Sequence, residues 1–332
     1  MKAYVVNTYG KDAISIPEDR SIPKPQSSEL LIKVAATSIN PIDARIRAGL
    51  MPHVQPPLPA ILHADMSGVV VTCGEQVIDY LPGDEVYGCI GGVANQSGAL
   101  SEYVVVCPER ISKKPESLTL LEAASVPLVG ITAYIALFEK LLLTRNDRVL
   151  IHAGLGGVGN IACQLAHAAG AKVSATVGSD QGVDLLKSLG VPHVINYKKE
   201  LPATYRQLDG ESGFLQIFDT VGRSNLLQSF EAAATHGHIA CTQTLIDGID
   251  LSLMHKKGLT LSSVLMLDRL IQPGTVTPYS HYLKKLTAMI DEFGIKPHLD
   301  STIFSVKDVS AAYEHFWARQ STGKVMITVE SV

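Results

Sequence analysis

The chain has 332 residues, 46% hydrophobic and 18% charged, with a formal net charge of −4 and an isoelectric point near 6.3. That length exceeds one ordinary core and implies two domains. The slightly acidic balance excludes a nucleic-acid surface or an anionic membrane as the main partner, since both need a basic face. The opening MKAYVVNTYGKDA holds no signal-peptide core, and no later run reaches 18 apolar residues, so a soluble, cytoplasmic protein is expected. Five scattered cysteines (Cys73, Cys89, Cys107, Cys163, Cys241) never form C-x-x-C, which indicates small buried thiols and neither a disulfide framework nor a zinc knuckle.

From residue 2 to about 106 the pattern is short β-rich runs, at 3–6, 30–36, 69–72 and 103–106, punctuated by prolines such as Pro17, Pro41, Pro59 and Pro82. Leu- and Ala-rich helical segments follow at 119–125 and 130–143, separated by Pro127, and the domain boundary belongs in this passage. From residue 148 strands (149–153, 173–177, 193–197, 217–221, 239–242 and 260–265) alternate with helices, which implies a parallel sheet covered on both faces. After Pro278 a helix (279–293), a short strand (301–304), a helix (306–319) and a last strand (325–329) do not obviously continue that winding.

Residues 149–159, VLIHAGLGGVG, organise the second half. An apolar strand runs into Gly154, Gly156 and Gly159, spaced G-x-G-x-x-G, and then into a helical pattern at Val158, Ile161, Ala162 and Leu165. The first glycine allows the turn, the second lets backbone approach a pyrophosphate, and the third lets the helix pack on the strand, leaving the helix N-terminus to face an anion. A glycine string alone also fits a structural turn. The second strand, KVSATV at 172–177, completes the βαβ unit that a dinucleotide requires.

Nine motifs in order then resemble the medium-chain dehydrogenases/reductases, and within them the zinc-free quinone oxidoreductase branch that includes zeta-crystallin: NPID (40–43) with RAG (47–49), HADMSGVV (63–70), PGDEVYG (82–88), GALSEY (98–103), VGITAY (129–134), AGLGGVG (153–159), VINY (194–197), FDTVG (218–222) and STGKVMI (321–327). The resemblance implies an α/β fold in which a GroES-like β-barrel catalytic domain (1–125) is followed by a Rossmann doubly wound parallel-sheet domain (126–265), and a C-terminal segment (266–332) returns to the first. The active site is expected in the cleft between the two domains. A homodimer through the Rossmann sheet edge, at 260–265, is implied as well.

In zinc-dependent relatives a cysteine and a G-H-E histidine hold the ion; here those places resemble Asn40-Pro41 and Ala64, and His63 lies one residue off. No zinc is expected, and a lone histidine beside a turn reads as a packed, hydrogen-bonded residue. Asn40 is the candidate catalytic donor to the anion formed on hydride addition, or else only an Asx turn before Pro41. Where quinone-reducing relatives often carry tyrosines, this chain has Arg45 and Met51; Arg45 recognises a carbonyl or anionic group or points to water, and Leu50 and Met51 give an adaptable apolar wall, with His63 in the same pocket.

For the coenzyme, the resemblance places Thr132 near the nicotinamide ribose, Gly154, Gly156, Gly157, Val158 and Gly159 under the pyrophosphate, Ser179 and Tyr197 near the adenosine ribose, and Val221, Gly222, Val264, Leu265 and Met266 along the nicotinamide side. The second strand ends in Val177-Gly178-Ser179 without the carboxylate that usually holds NAD ribose hydroxyls, which favours NADPH. Asp180, as a helix N-cap or as a charge repelling phosphate, keeps NADH open. The expected activity is zinc-independent hydride transfer from NADPH to a quinone or α,β-unsaturated carbonyl as small-molecule substrate. The alternatives are an enal/enone double-bond reductase with little quinone activity and a non-catalytic NADPH-binding protein.

Overall fold

The computed structural model describes residues 1–200, 205, 212–243, 248–272, 277–319 and 321–329. The chain forms two compact units, Met1–Ile131 with Leu267–Val332, and Thr132–Met266. In chain order its strands are β1 (Lys2–Val6), β2 (Ile16–Asp19), β3 (Leu30–Ser38), β4 (Ala60–Ile61), β5 (Asp65–Cys73), β6 (Glu85–Cys89), β7 (Tyr103–Val106) and β8 (Ile111–Lys113). They continue with β9 (Arg148–Ile151), β10 (Lys172–Val177), β11 (His193–Asn196), β12 (Phe214–Asp219), β13 (Ala233–Cys241), β14 (Thr260–Ser263), β15 (Leu299–Ser305) and β16 (Lys324–Thr328).

In the first unit β1 lies between β2 and β4, and a larger sheet runs β15-β16-β3-β5-β6-β8, with β7 also on β3. Because β3 has partners along both sides, its LLIKVAATS is buried almost throughout. Leu30, Ile32 and Val34, two residues apart and so on one face, pack with Met66, Val70, Val86, Ile90 and Ile111. Each such aliphatic side chain contributes about 1.5–3 kcal/mol on burial. The tail that sequence periodicity alone does not place closes this sheet: β16 runs antiparallel to β3, with Met326 opposite Ser38, and β15 runs parallel to β16.

The helical passage differs in detail from its sequence reading. Thr119 caps only a short helix, Leu120–Ala123, through a capping box with Glu122. Pro127 opens the next helix, Pro127–Tyr134, a position where its missing N–H costs nothing. That helix widens into a π-helical stretch, Ile135–Lys140, in which the Leu141 N–H reaches back to the Ala136 carbonyl.

In the second unit all five strand pairings are parallel, in the order β11-β10-β9-β12-β13-β14. Leu150, Phe214, Ile217, Phe230 and Ile239 form part of its core. β12 stops at Asp219 and not at Val221, because Asp219 Oδ1 accepts the Val221 and Gly222 N–H groups at 2.9 and 2.7 Å and turns the chain. β14 likewise ends at Ser263, short of residue 265. Among the described residues, no helix is long and apolar enough to cross a membrane.

Candidate functional site

Parallel strands share a direction, so the segments following β9, β10, β11, β12 and β14 lie along one edge of the second unit's sheet. The order reverses at β9, which has β10 on one side and β12 on the other; open α/β sheets bind ligands at such a switch. The glycine loop after β9 is tied to both neighbours. The His152 N–H donates to the Phe218 carbonyl at 3.0 Å and the Gly154 N–H to the Thr176 carbonyl at 2.9 Å. Thr220 Oγ1 donates to the His152 carbonyl at 2.6 Å, and the Ala153 N–H donates to Thr176 Oγ1 at 3.1 Å.

Two of the loop's glycines are required by close approach. A Cβ on Gly159 would stand 2.1 Å from the Ala153 oxygen, and one on Gly154 would stand 2.7 Å from Leu186 Cδ1. Gly156 is exposed and serves as N-cap of the helix Gly157–Ala168. The first N–H groups of that helix have no intrahelical partner and carry the positive end of its dipole. Gly157, Val158 and Gly159 thus provide an open, donor-rich cradle that fits a dinucleotide's pyrophosphate.

At the end of β10, Ser179 is the N-cap of the helix Asp180–Ser188, its Oγ accepting the Gly182 N–H at 3.1 Å. This corrects the cap reading for Asp180, which is the first helical residue. Its carboxylate accepts from Asn196 Nδ2 at 2.9 Å and Lys199 Nζ at 2.5 Å. Those two contacts hold it below its ordinary pKa, the lysine's the larger. Tyr197, half exposed, sets its hydroxyl 2.6 Å from where a Gly178 Cβ would be, so Tyr197 and Ser179 flank the same turn. Further along the edge Val221 is exposed, Gly222 has φ +67, Leu265 is exposed, and Val264 and Met266 are buried. Thr132, buried, lies on the helix Pro127–Tyr134.

In the first unit the residues expected near the acceptor meet a buried polar network. Asn40 has no exposed surface. Its Nδ2 donates to Asp65 Oδ2 at 2.8 Å, and its Oδ1 accepts from the Lys324 ammonium. Lys324 also lies 3.4 Å from Asp65 Oδ2. Asp65 further accepts from Ser38 Oγ at 3.1 Å and the Leu128 N–H at 2.8 Å. Asp43 accepts the Asn40 N–H at 2.8 Å, capping the helix Pro41–Arg47, and the Ala64 N–H at 3.1 Å.

His63, fully buried with φ +76, is held on both ring nitrogens. Thr37 gives its one hydroxyl hydrogen to the Asp65 carbonyl at 2.6 Å, so it accepts from His63 Nδ1 at 3.2 Å, and Nε2 accepts from the Tyr313 hydroxyl at 2.8 Å. The imidazole is therefore the neutral Nδ1–H tautomer. Burial, then the charges of Lys324 and Arg47, push its pKa down to about 3. Burial raises Asp43 to about 7 against the pull of the Asn40 N–H. It also lowers Lys324 against the attraction of Asp65. Arg47 stacks over the Tyr313 ring at 4.4 Å. Arg45 is partly buried, Leu50 exposed and Met51 partly buried. Among the described residues no group of three or more His, Cys, Asp and Glu is arranged to hold a metal ion.

Sequence reasoning names the glycine loop but gives no role to Thr176, Thr220, Asp65, Lys324 or Tyr313. Thr220 and Lys324 sit inside the FDTVG and STGKVMI motifs, which mark them without showing what they touch. Tyr313 carries no local signal, because its partner His63 is 250 residues away.

A parallel six-stranded sheet with a glycine-loop cradle, joined in one chain to a β-rich unit closed by the C-terminal strands, defines a two-domain nicotinamide-dependent oxidoreductase. Residues 26–116 match the alcohol dehydrogenase GroES-like domain family and residues 157–283 the zinc-binding dehydrogenase family. The chain is 32% identical to 2-methylene-furan-3-one reductase of Solanum lycopersicum over 98% of its own length and 79% of that protein's. Its fold superposes on an alcohol dehydrogenase superfamily protein from Novosphingobium aromaticivorans with a TM-score of 0.93 at 32% identity, covering 99% and 100% of the two chains. For the quinone oxidoreductase from Coxiella burnetii the values are 0.82 and 29%, with 99% of each chain covered. The chain belongs to the medium-chain dehydrogenase/reductase superfamily, in its quinone oxidoreductase branch.

Proposed function

We propose that this chain transfers a hydride from NADPH to a quinone or an α,β-unsaturated carbonyl without a metal ion. The observation that carries the reading is the glycine cradle at the sheet's switch point, in a chain whose relatives include a furanone reductase and a quinone oxidoreductase. The unit Thr132–Met266 is then the coenzyme domain, with Gly154, Gly156, Gly157, Val158 and Gly159 under the pyrophosphate, Ser179 and Tyr197 at the adenosine ribose, and Thr132, Val221, Gly222, Val264, Leu265 and Met266 toward the nicotinamide. Bound in reduced form, the nicotinamide supplies the hydride. NADPH is favoured because β10 ends without a free carboxylate, Asp180 being engaged by Lys199 and Asn196.

The acceptor meets the other unit, where Arg45, Leu50 and Met51 form its wall, with His63 and Asn40 behind it. One Asn40 amide hydrogen is committed to Asp65 and the residue is fully buried, so Asn40 can donate its second hydrogen to the acceptor's oxygen only if the wall in front of it opens. The metal-free reading is supported by Lys324, whose buried ammonium already faces the Asp65 carboxylate. We further propose a cytoplasmic homodimer in which a second copy adds at β14, the edge strand of its sheet; light scattering tests the dimer. Purified protein mixed with NADPH and a panel of benzoquinones, naphthoquinones, enals and enones should oxidise the coenzyme, and should do so equally after exhaustive chelation. Coenzyme binding without turnover of any acceptor would overturn the catalytic reading, and activity restored only by zinc would overturn the metal-free one.

A further inference from the structure

Ala153 stands between β9 and the helix Gly157–Ala168 with φ +51, a left-handed backbone that disfavours an L-residue carrying a Cβ. Strain of this kind persists where the surroundings over-determine it, and it gathers at ligand clamps. Three hydrogen bonds hold this bend. The Ala153 N–H donates to Thr176 Oγ1 at 3.1 Å, the Gly154 N–H to the Thr176 carbonyl at 2.9 Å, and the Gly156 N–H to the Ala153 carbonyl at 2.9 Å. The last of these fixes the N-cap of the helix, and the same carbonyl occupies the space that a Gly159 side chain would need. The conformation of Ala153 thus sets where the free N–H groups of the cradle point.

Two of the three bonds end on Thr176, in β10. A threonine hydroxyl rotates, so its lone pair stays on the Ala153 N–H when a second group holds the rotor. His152 is that group: its Nδ1 and Thr176 Oγ1 share a hydrogen bond across 3.3 Å. The imidazole is buried, and the His152 backbone is tied to the other neighbouring strand through the Phe218 carbonyl and the Thr220 hydroxyl. Its second ring nitrogen, Nε2, is buried with no hydrogen-bond partner among the described residues, which is unfavourable for a polar atom. Leucine at 152 and glycine at 153 would fill the same places without an orphaned nitrogen and without a strained backbone. Packing alone therefore does not call for either residue, and what the imidazole adds is its bond to Thr176.

We infer that His152 and Thr176 are positioning residues for the coenzyme: the ring holds the Thr176 hydroxyl, the hydroxyl holds Ala153 in its left-handed bend, and the bend aims the N–H groups of Gly157, Val158 and Gly159 at the pyrophosphate. This rests on the proposed coenzyme reading of that cradle and names the side chains that shape it. Titration with NADPH, followed by its fluorescence, gives Kd without turnover. Thr176→Val keeps the shape and removes the acceptor; it should raise Kd about fivefold to tenfold, the range of one hydrogen bond, and KM for NADPH should rise by more than kcat falls. Thr176→Ser should restore most of the affinity. In an Ala153→Gly background the loss caused by Thr176→Val should shrink to about twofold or less, because glycine adopts the left-handed bend unaided. His152→Leu should raise Kd about threefold or more without lowering the thermal midpoint of the coenzyme-free protein. An unchanged Kd in Thr176→Val, an equal loss with and without Ala153→Gly, or a fall in the midpoint of His152→Leu that tracks its loss of affinity would overturn the inference and leave the coenzyme reading intact. Failure of the wild type to bind NADPH would sink the two together.

Discussion

Lys324 brings an ammonium into a space with almost no solvent contact, where its partners are Asn40 and Asp65. Removing one member of a buried pair strands the other, at about 3–5 kcal/mol. Lys324→Met should therefore lose most of that amount in urea unfolding, while the double variant Lys324→Met with Asp65→Asn should recover a large part of it, because no charge is left alone. Equal losses in the two would mean that the lysine acts through packing only. Ser179 permits a cleaner substitution. Asp caps helices as well as Ser does, so Ser179→Asp should keep the fold, place a carboxylate at the end of β10, and shift the NADH to NADPH ratio of kcat/KM toward NADH by about tenfold or more. An unchanged ratio would remove Ser179 from the ribose end. Local residue types announced the glycine loop, since each glycine answers a steric demand within a few residues. The lysine's partner Asn40 lies 284 residues away in the chain, and no local pattern encodes so long a pairing.

The helix Asn225–Ala232 shows the same contrast one level up. Its amphipathic pattern is readable, but the group that closes it is not. The Lys257 ammonium, from the helix Ser252–Lys257, donates to the carbonyls of Phe230, Glu231 and Ala233 at 2.7, 2.8 and 2.7 Å. A cation satisfying terminal carbonyls offsets the negative end of the helix dipole. Lys257→Met should cost about 1–2 kcal/mol and raise hydrogen exchange selectively at the end of that helix; uniform exchange across the unit would contradict a local role. Strand alternation in the second half was legible for a related reason: a parallel sheet buries both faces and reads as apolar runs. The strands of the first unit were less so. β5 pairs with β3 across a register that shifts twice, and the exposed and buried positions of β5, β6 and β8 do not follow one period.

Across the whole molecule, His63 and Asp43 give folding two opposed proton linkages. The unfolded chain protonates His63 near 6.5, whereas the folded protein does so only at about 3. Stability from this group is therefore complete above 6.5 and is lost as pH falls toward 3. Asp43 works in reverse: folded, it keeps its proton up to about 7, and unfolded, it releases it near 3.8. Its contribution is therefore present below 3.8 and lost as pH rises toward 7. Each is worth up to roughly 4 kcal/mol, so the two largely cancel between pH 4 and 6.5. His63→Gln should expose the Asp43 slope, and unfolding free energies of that variant measured from pH 4.5 to 7.5 should fall with rising pH while the wild type stays nearly flat. A parallel pair of profiles would refute the linkage.

The return of the C-terminal strands has a consequence for synthesis on the ribosome. When residue 266 has left the exit tunnel, every strand of the six-stranded sheet is available, and the coenzyme half can close as a unit. The earlier-made half still lacks β15, β16 and the lysine that neutralises its interior. It waits, with residues 36–38 of β3 lacking the partner that β16 gives them, until residues 324–328 have been made. The unit Thr132–Met266 should thus become protease-resistant on stalled nascent chains before the unit whose two segments flank it.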